Sequence, residues 1–472
     1  MNCSSTSSPA TSKGFLLVLV LVFGAIFFTI ASSFVVFIVT QSKLVAQKVE
    51  VESAGQIAEA GLNYYKWYLS HYPNDTTNGT GLPGPYIGVY KDPEGVAIGE
   101  YSLTVSSTTY CGDTASIDVT AVGHTYKAPT ILRTLTAHYA RPTVATYSYI
   151  LNANVWVGSD AQIVGPYHSN GGVRFDGTNN SVVTSGQSTW SCDPTFGCTP
   201  TSTQNGVFTT TANPNTSLFD FPAPPINFAG ITVDLANLES KAKNNGGLYF
   251  GPSGKSGYYL IFNADGTVEV RKVNSKQNEP NGYAWGRYMN ILNGTQLVGT
   301  YTIPQSCPVI FVEDQVWVEG TVKGKATLVA ADVDTSGVDP SIILNDNILY
   351  ANATSALMAI SEYDTLIGLV VPDDMILNGI FISQTGHFGR NFYDTSMPNS
   401  WDAYIKRNSL TLNGTIVSNG RVGTKWVDGS NVFLSGFNNR YFSYDRNLIA
   451  SPPPLVPVTS DVYQFSEWRD GN

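Results

Sequence analysis

Residues 13–39 of this chain read KGFLLVLVLVFGAIFFTIASSFVVFIV, and the 25 residues from Phe15 to Val39 carry no charge. As an α-helix this run would be about 37 Å long, because each residue adds about 1.5 Å along the axis. A bilayer core is about 30 Å thick, whereas the apolar part of a cleaved secretory signal has only about 7–15 residues. The sequence therefore predicts a transmembrane helix from Phe15 to Val39.

The helical pattern continues beyond the apolar run and ends before Pro73. Apolar residues recur at helical spacing, with charged residues on the other faces: Val49, Ile57, Ala58, Gly61, Leu62, Tyr65, Tyr68 and Leu69. We therefore expect one helix over residues 15–72, transmembrane in its first half and amphipathic in its second. Such a helix anchors a soluble body to a membrane lipid bilayer and can also pack lengthwise against copies of itself.

Two short motifs in this region resemble a known family. Lys13–Gly14–Phe15–Leu16–Leu17 resembles the processing site of type IV pilins and pseudopilins, and QIAEAGLN at residues 56–63 is similar to a block of PilX-like minor pilins. The resemblance covers about residues 10–70. It implies that residues 1–14 are a leader, that a prepilin peptidase cuts after Gly14, and that Phe15 becomes a methylated amino terminus. It also implies other pilins as partners, and a location in the cell membrane, as a single-pass protein, and then at the cell surface or in a pilus.

The sequence departs from the family at one position. Most major pilins carry Glu at the fifth mature position, which here is Leu19. Some minor members located at the filament tip also lack this Glu. The departure points away from a major, filament-building subunit.

Composition and charge restrict the remaining function classes. Only 13% of the residues are charged, against about 25% in typical soluble proteins, and Gly, Tyr, Thr, Ser and Asn take their place. This is typical of an exported, β-rich protein. The net charge of −10 argues against nucleic acid as a partner, because phosphate binding needs a basic surface.

The five cysteines permit disulfides in an exported protein. Cys3 belongs to the leader. A disulfide between Cys192 and Cys198 would close a short loop, and no histidine flanks this pair at the spacing of a zinc site. Cys111 and Cys307 are far apart in sequence, and their pairing stays open.

Three antiparallel strands are predicted after the helix, over residues 101–107, 115–122 and 130–140, and a loop-rich link over residues 73–100 precedes them. Laid on the emergent helix they would make a pilin-like β head over residues 73–146.

Short β-branched runs that end in Gly or Asn follow the head. LNGIFIS at residues 377–383 recurs as LNGTIVS at residues 412–418. This texture favours a β-solenoid (β-helix), whose coils bury their faces against one another, in two parts over residues 147–186 and 306–450. An ordinary antiparallel sandwich is the alternative, because it shares this composition.

Two segments interrupt or end the predicted solenoid. Residues 187–305 contain a helical pattern over 233–243 and a hairpin signal at Ala264–Asp265–Gly266, so we expect an α+β insertion on one side. Residues 451–472 begin with a triple proline and end with aromatic residues. We expect them to form a C-terminal cap over the last coil. The predicted fold is thus mainly β with a long N-terminal transmembrane helix.

Residues suited to catalysis are few. Asp160, His168, Arg174 and Asp176 could project from neighbouring coils, and paired carboxylates can hydrolyse glycosides. The simpler interpretation is that they are turn residues and surface charges. No histidine pair, phosphate loop or dinucleotide motif is present, so we predict no catalytic, metal or cofactor residues.

The sequence thus favours a non-enzymatic, PilX-like minor pilin that displays a large β-rich body for adhesion or tip assembly. A surface glycan, or the surface of a host or neighbouring cell, would be its target. The alternatives are a permanently anchored structural surface protein and an anchored β-helix enzyme acting on carbohydrate.

Overall fold

The computed structural model describes residues 13–231, 234–276, 293–333, 339–394 and 401–471, so residues 1–12 of the expected leader lie outside the described residues. Within these ranges the protein is mainly β, with a long N-terminal helix. One five-stranded antiparallel sheet lies against the helix, and we call this part the head. The body, residues 144–450, is built chiefly from parallel strand pairs.

Helix α1 (Lys13–His71) is continuous over 59 residues, or about 88 Å. Pro73 follows its end by two residues, and a proline cannot continue a helix. An 18-residue window of its apolar part has a mean hydropathy of 2.8, and none of that window is buried by the rest of the chain. The hydroxyls of Thr29, Ser33 and Thr40 donate to carbonyls one turn earlier in the helix. The apolar half is therefore exposed on all sides, with these polar side chains paired, as a lipid environment requires.

The head sheet contains β1 (Tyr86–Lys91), β2 (Ala97–Tyr110), β3 (Asp113–Thr125) and β4 (Ala128–Ala140) in antiparallel order. Strands β2, β3 and β4 contain the three predicted segments and lengthen them. The prediction of a loop over residues 73–100 was wrong in part, because β1 lies within it. Its alternating pattern is only six residues long and is flanked by Gly and Pro, which hide a short strand.

The second half of α1 packs on this sheet through two glycines. A Cβ added at Gly61 would lie 2.8 Å from the Tyr101 ring, and one at Gly123 would lie 2.3 Å from the Ala54 carbonyl oxygen. These contacts let the helix and sheet approach closely. The shared core is apolar and aromatic, and it includes Leu62, Tyr65, Leu69, Leu103, Ile117, Val119, Leu135 and Tyr139.

The body comprises the remaining strands and four short helices. Its first part contains β5 (Tyr149–Leu151), β6 (Val155–Val157), β7 (Ala161–Val164), β8 (Tyr167–Ser169), β9 (Val173–Phe175), β10 (Thr178–Asn179), β11 (Val183–Ser185), β12 (Thr189–Cys192), β13 (Ser202–Asn205), β14 (Val207–Phe208), β15 (Phe219–Asp220), α2 (Phe228–Ile231) and α3 (Leu235–Asn244). Its second part contains β16 (Leu248–Phe250), β17 (Tyr258–Phe262), β18 (Thr267–Ser275), β19 (Asn293–Thr302), β20 (Val309–Val312), β21 (Val316–Val322), β22 (Lys325–Ala330), β23 (Ile342–Tyr350), β24 (Ala356–Ser361), β25 (Thr365–Ile367), β26 (Asp374–Ser383), β27 (Phe388–Gly389), α4 (Asp402–Ile405), β28 (Lys406–Ser418), β29 (Lys425–Val427), β30 (Phe433–Ser443) and α5 (Arg446–Ala450).

Parallel strands lie one on the next in three sets, which we call stacks. The first stack runs in space β16, β20, β22, β24, β26, β28, β5, β8, β11, β15. The second runs β17, β21, β23, β26, β28, β30, β7, β10. The third includes β6, β9 and β14. The parallel pairing excludes the antiparallel sandwich for these strands.

The repeated sequence lies at the centre of this arrangement. Strand β26 pairs with β28 in a continuous register from Leu377 opposite Leu412 to Ser383 opposite Ser418. The side chain of Asn413 donates to that of Asn378 at 3.0 Å. The repeat therefore places like residues above one another, 35 positions apart in sequence.

The spatial order of the first stack differs from the sequence order. Strand β5, the first in the body, lies on β28, so the N-terminal strands follow the C-terminal ones. As a result β15 and β16, which are close in sequence, lie at opposite ends of the stack. Residues 221–247 connect them along its outer side, where Phe228, Leu238 and Ala242 pack against the stacked strands.

The predicted insertion over residues 187–305 is corrected by this order. Strands β16 and β17 continue the first and second stacks in parallel with β20 and β21, so they belong to the body itself. The helix predicted over 233–243 corresponds to α3, and β17 and β18 form the predicted antiparallel hairpin. The sequence pattern identified the local elements but not their place in the stacks.

The predicted C-terminal cap is also corrected. Strand β31 (Gln464–Gly471) pairs antiparallel with β4 and becomes the fifth strand of the head sheet. The Phe465 ring lies 4.8 Å from that of Tyr139, centroid to centroid. The chain end thus supplies partners to a sheet edge that would otherwise present unpaired backbone groups.

The head and the body are joined by a disulfide between Cys111 and Cys307, 196 residues apart. Cys111 lies in the turn between β2 and β3, and its backbone N–H donates to Ser306 at 2.8 Å. Lys241 of α3 forms an ion pair with Asp113 at 2.9 Å. A covalent bond, backbone hydrogen bonds and charge therefore hold the tip of the head sheet against the body.

We expect the double substitution Cys111→Ser with Cys307→Ser to lower the free energy of unfolding by up to about 5 kcal/mol, because this disulfide closes a long loop in the unfolded chain. The measurement is urea unfolding of the oxidised protein in detergent. The matched control, Cys192→Ser with Cys198→Ser, opens a short loop and should cost about 2 kcal/mol. Equal losses in the two double variants would contradict this expectation.

A buried carboxylate ties α1 to the head. The Thr125 hydroxyl donates to Glu50 at 2.6 Å and Lys127 forms an ion pair with it at 2.9 Å; both contacts lower the pKa of Glu50. A carboxyl group with a lowered folded-state pKa stabilises the protein above its unfolded-state pKa. That contribution disappears as the pH falls through the folded-state value.

We therefore expect Glu50→Gln to destabilise the protein at pH 7 and to flatten its loss of stability below about pH 4. Urea midpoints between pH 7 and pH 3 measure this change. The exposed Glu59 on the same helix provides the control Glu59→Gln. An acid dependence that is the same in Glu50→Gln and in the unsubstituted protein would refute the assignment.

Candidate functional site

The predicted processing residues lie on the uncovered half of α1. Gly14 is in the first turn of the described helix, and a Cβ added there meets nothing within 4 Å. Phe15 is 72% exposed and Val39 is 48% exposed. This segment is free of contacts with the head and body, so another protein or a lipid bilayer has access to it along its whole length.

Aromatic side chains extend the exposed surface into the amphipathic half of α1. Trp67 is 54% exposed, and its ring lies 6.1 Å from that of Tyr64, centroid to centroid. Both point away from the head core, which occupies the opposite side of the helix. The amphipathic half therefore packs on the head with one face and offers an aromatic face for a further contact.

The four polar residues that could have formed a catalytic site lie on different stacks. His168 is on β8 in the first stack, Asp160 precedes β7 in the second, and Arg174 and Asp176 lie on or directly after β9 in the third. The structure does not bring them together in a shared groove. The carbohydrate-active enzyme hypothesis loses the residues on which it rested.

Asp176 is a structural carboxylate. It is 3% exposed and accepts hydrogen bonds from the Trp156 indole at 2.9 Å, the Arg174 guanidinium at 2.7 Å and the Thr210 backbone at 2.8 Å. Arg174 also lies over the Trp156 ring. With its oxygens engaged in this way, Asp176 fastens the segment around Thr210 to the third stack.

Asp160 and His168 also have local partners. Burial alone would raise the pKa of Asp160, but Arg440, which contacts it through two bonds of 2.9 Å, and Lys425 lower it overall. Burial lowers the pKa of His168, whose ring nitrogens contact Thr184 at 2.8 Å and Asn170 at 2.9 Å. Each group stabilises its own coil.

The short cysteine loop forms a small satellite of the body. Cys192 and Cys198 are joined by a disulfide, and their loop packs with Trp190 and Phe196 in a separate apolar cluster. The carbonyl of Phe196 accepts a hydrogen bond from Arg174 at 2.9 Å. The loop is thus attached to the third stack through the same arginine that binds Asp176.

Among the described residues, no group of three His, Cys, Asp or Glu side chains is placed to hold a metal ion.

A surface cleft of about 530 Å³ lies where the chain enters and leaves the body. Its lining includes Gly165, Asn180, Ser181, Tyr444 and Arg446. The sequence analysis missed these residues because they come from three distant segments and share no motif. The adjacent Asn and Gly at coil corners were the only available signal, and such residues are common throughout the chain.

Comparisons with known proteins give little. No protein-family model matches this chain, and no curated protein matches its sequence. Among solved structures, the competence-associated pilin ComZ from Thermus thermophilus is similar over 89% of this chain and 97% of that chain, with 14% sequence identity and a TM-score of 0.26. A likeness at this TM-score carries no argument about the fold or function of this chain.

We expect Asp176→Ala to lower the free energy of unfolding by about 3–5 kcal/mol, because it leaves the buried Arg174 without its carboxylate. Urea unfolding of the full chain measures this loss. Asp461→Ala is the matched control, since the Asp461 side chain is 92% exposed and its removal should change stability by less than about 0.5 kcal/mol. A loss below 1 kcal/mol for Asp176→Ala would show that the carboxylate is not structural.

Proposed function

We propose that this chain is a non-enzymatic, minor-pilin-like component of a type IV pilus or a related secretion pseudopilus. The observation that carries the proposal is the apolar half of α1, which follows the Lys13–Gly14–Phe15 motif directly and is covered by nothing else in the chain. Such a surface needs either lipid or other apolar helices. In a pilin it has both in succession, the membrane before assembly and neighbouring pilin helices afterwards.

In this proposal the prepilin peptidase cuts after Gly14 and methylates Phe15. The accessible glycine supports this step, since the backbone there is free for close approach by another protein. Trp67 and Tyr64 would extend the contact with other pilins beyond the membrane. PilX-like minor pilins are the subgroup that the block at residues 56–63 favours.

The body is, in this proposal, a β-solenoid displayed for adhesion or tip assembly. Its support is the in-register parallel pairing of the stacks and the side-chain bond between Asn378 and Asn413. A stack of this kind is stiff and presents long flat faces. Joined to the head by the Cys111–Cys307 disulfide, it would be held outside the membrane at the end of α1, facing a surface glycan or another cell.

The domain boundaries follow from the same proposal. Residues 1–14 form the leader, residues 15–72 the anchoring helix, and residues 73–146 the pilin-like head, which β31 completes. The body then comprises residues 147–450, and residues 451–463 return the chain from the body to the head.

The first experiment is mass analysis of the N-terminal peptide of the protein from its native membranes. We expect a start at Phe15 carrying an N-methyl group. A start at Met1 would support the alternative, a permanently anchored structural surface protein, and would overturn the pilus proposal.

A matched pair of variants sharpens the test. Gly14→Val should block cleavage, because it adds a branched side chain at the scissile bond. Gly24→Val should be processed normally, since Gly24 lies on the same exposed helix and an added Cβ there also meets nothing within 4 Å. Equal processing of both variants would argue that Gly14 is not the recognised residue.

A further inference from the structure

The cleft at the corner of the body has the dimensions of a ligand site. Its volume of about 530 Å³ falls within the range of roughly 300–1,000 Å³ typical of small-molecule sites. Its walls come from the residue before β5, the corner after β7, the turn before β11 and the segment after β30. The cleft is thus formed by stacked, well-ordered strands rather than by one mobile loop.

An aromatic ring forms a fixed wall of this cleft. Gly165 has φ of +109°, and a Cβ added there would lie 2.3 Å from Cδ1 of Tyr444. The Tyr444 backbone N–H donates to the carbonyl of Val164 at 3.0 Å. The ring is therefore packed on bare backbone and anchored next to it. A tyrosine in this position offers a rigid apolar surface with a polar tip, which suits the C–H face of a sugar ring.

Hydrogen-bonding groups face the same space. Asn180 accepts from the Gly165 N–H at 3.0 Å through Oδ1, which orients its amide. Within the described residues, the Asn180 amide nitrogen and the Ser181 hydroxyl form no hydrogen bond. A donor amide and a hydroxyl next to an aromatic ring match the hydroxyl groups of a saccharide.

The charge of the cleft selects among saccharides. Arg446 donates through Nε to the Tyr444 hydroxyl at 3.2 Å, and its terminal nitrogens form no bond to the described residues. No acidic residue lines the cleft, in a chain whose net charge is −10. The neighbouring Asp445 is engaged in capping α5, where Oδ1 accepts from the Asn447 N–H. A guanidinium with free N–H groups favours a carboxylate.

We propose that this cleft binds an acidic saccharide, namely a sugar unit that carries a carboxylate, as in a polyuronate. The sugar ring lies against Tyr444, its hydroxyls bond to Asn180 and Ser181, and its carboxylate pairs with Arg446. This inference rests on the adhesive role proposed above and names its ligand class. Binding by the purified protein does not require leader cleavage or filament assembly, so it stands or falls separately from the N-terminal analysis.

The test is isothermal titration of the full chain in detergent micelles with trigalacturonate, and with cellotriose as the neutral probe. We expect saturable binding of trigalacturonate, and binding of cellotriose that is at least about tenfold weaker, since the charged hydrogen bonds are then missing. Absence of saturable trigalacturonate binding, or equal affinity for the two sugars, would overturn the proposal.

Variants locate the binding in the cleft. Arg446→Gln should weaken trigalacturonate binding at least about tenfold and leave cellotriose unaffected, because it removes the charge from an exposed side chain. Tyr444→Ala should weaken both sugars. The control is Tyr441→Ala, since Tyr441 is 41% exposed on β30 and does not line the cleft. Unchanged trigalacturonate affinity in Arg446→Gln, or a comparable loss in Tyr441→Ala, would place the binding elsewhere and refute the proposal.

Discussion

Backbone hydrogen bonding between the strands of the first stack is the interaction on which the body depends. Strands such as β20 and β24 are buried along their full length, so their N–H and C=O groups have no access to water and must pair with neighbouring strands. One side of the stack faces the inner core, and the other side is equally apolar. That second side requires a cover. Residues 221–247 and the segment around Val456 supply it from distant parts of the chain.

The order of the stack determines how the rest of the body is connected. Because β5 lies on β28, neither the N-terminal nor the C-terminal strands complete the stack alone. The connection from β15 to β16 must then run the length of the stack, about 43 Å at the usual strand spacing. Contacts between residues this far apart in sequence close late in folding, since long loops must be ordered first. The disulfide between Cys111 and Cys307 fixes the head to the body once both have formed.

The same connections give the molecule one mechanical path from membrane to ligand. Helix α1 packs into the head through Gly61 and Gly123, and β31 closes the head sheet on its other edge. The turn at Cys111 is then bound to the body. Force applied to the body therefore passes through a covalent bond and two sheets before it reaches the anchor. That arrangement suits a displayed binding domain, and the corner cleft lies where the chain leaves the body.

The sequence by itself determined α1, the three long head strands, the hairpin of β17 and β18, and the neighbouring repeats in β26 and β28. Each depends on a local period or on a short spacing along the chain. Only the tertiary structure decided the order of the stacks, the return of β31 to the head, the partner of Cys111, and the separation of Asp160 from Asp176. The cleft around Tyr444 belongs with these, because residues that meet from distant segments leave no periodic signal in the sequence.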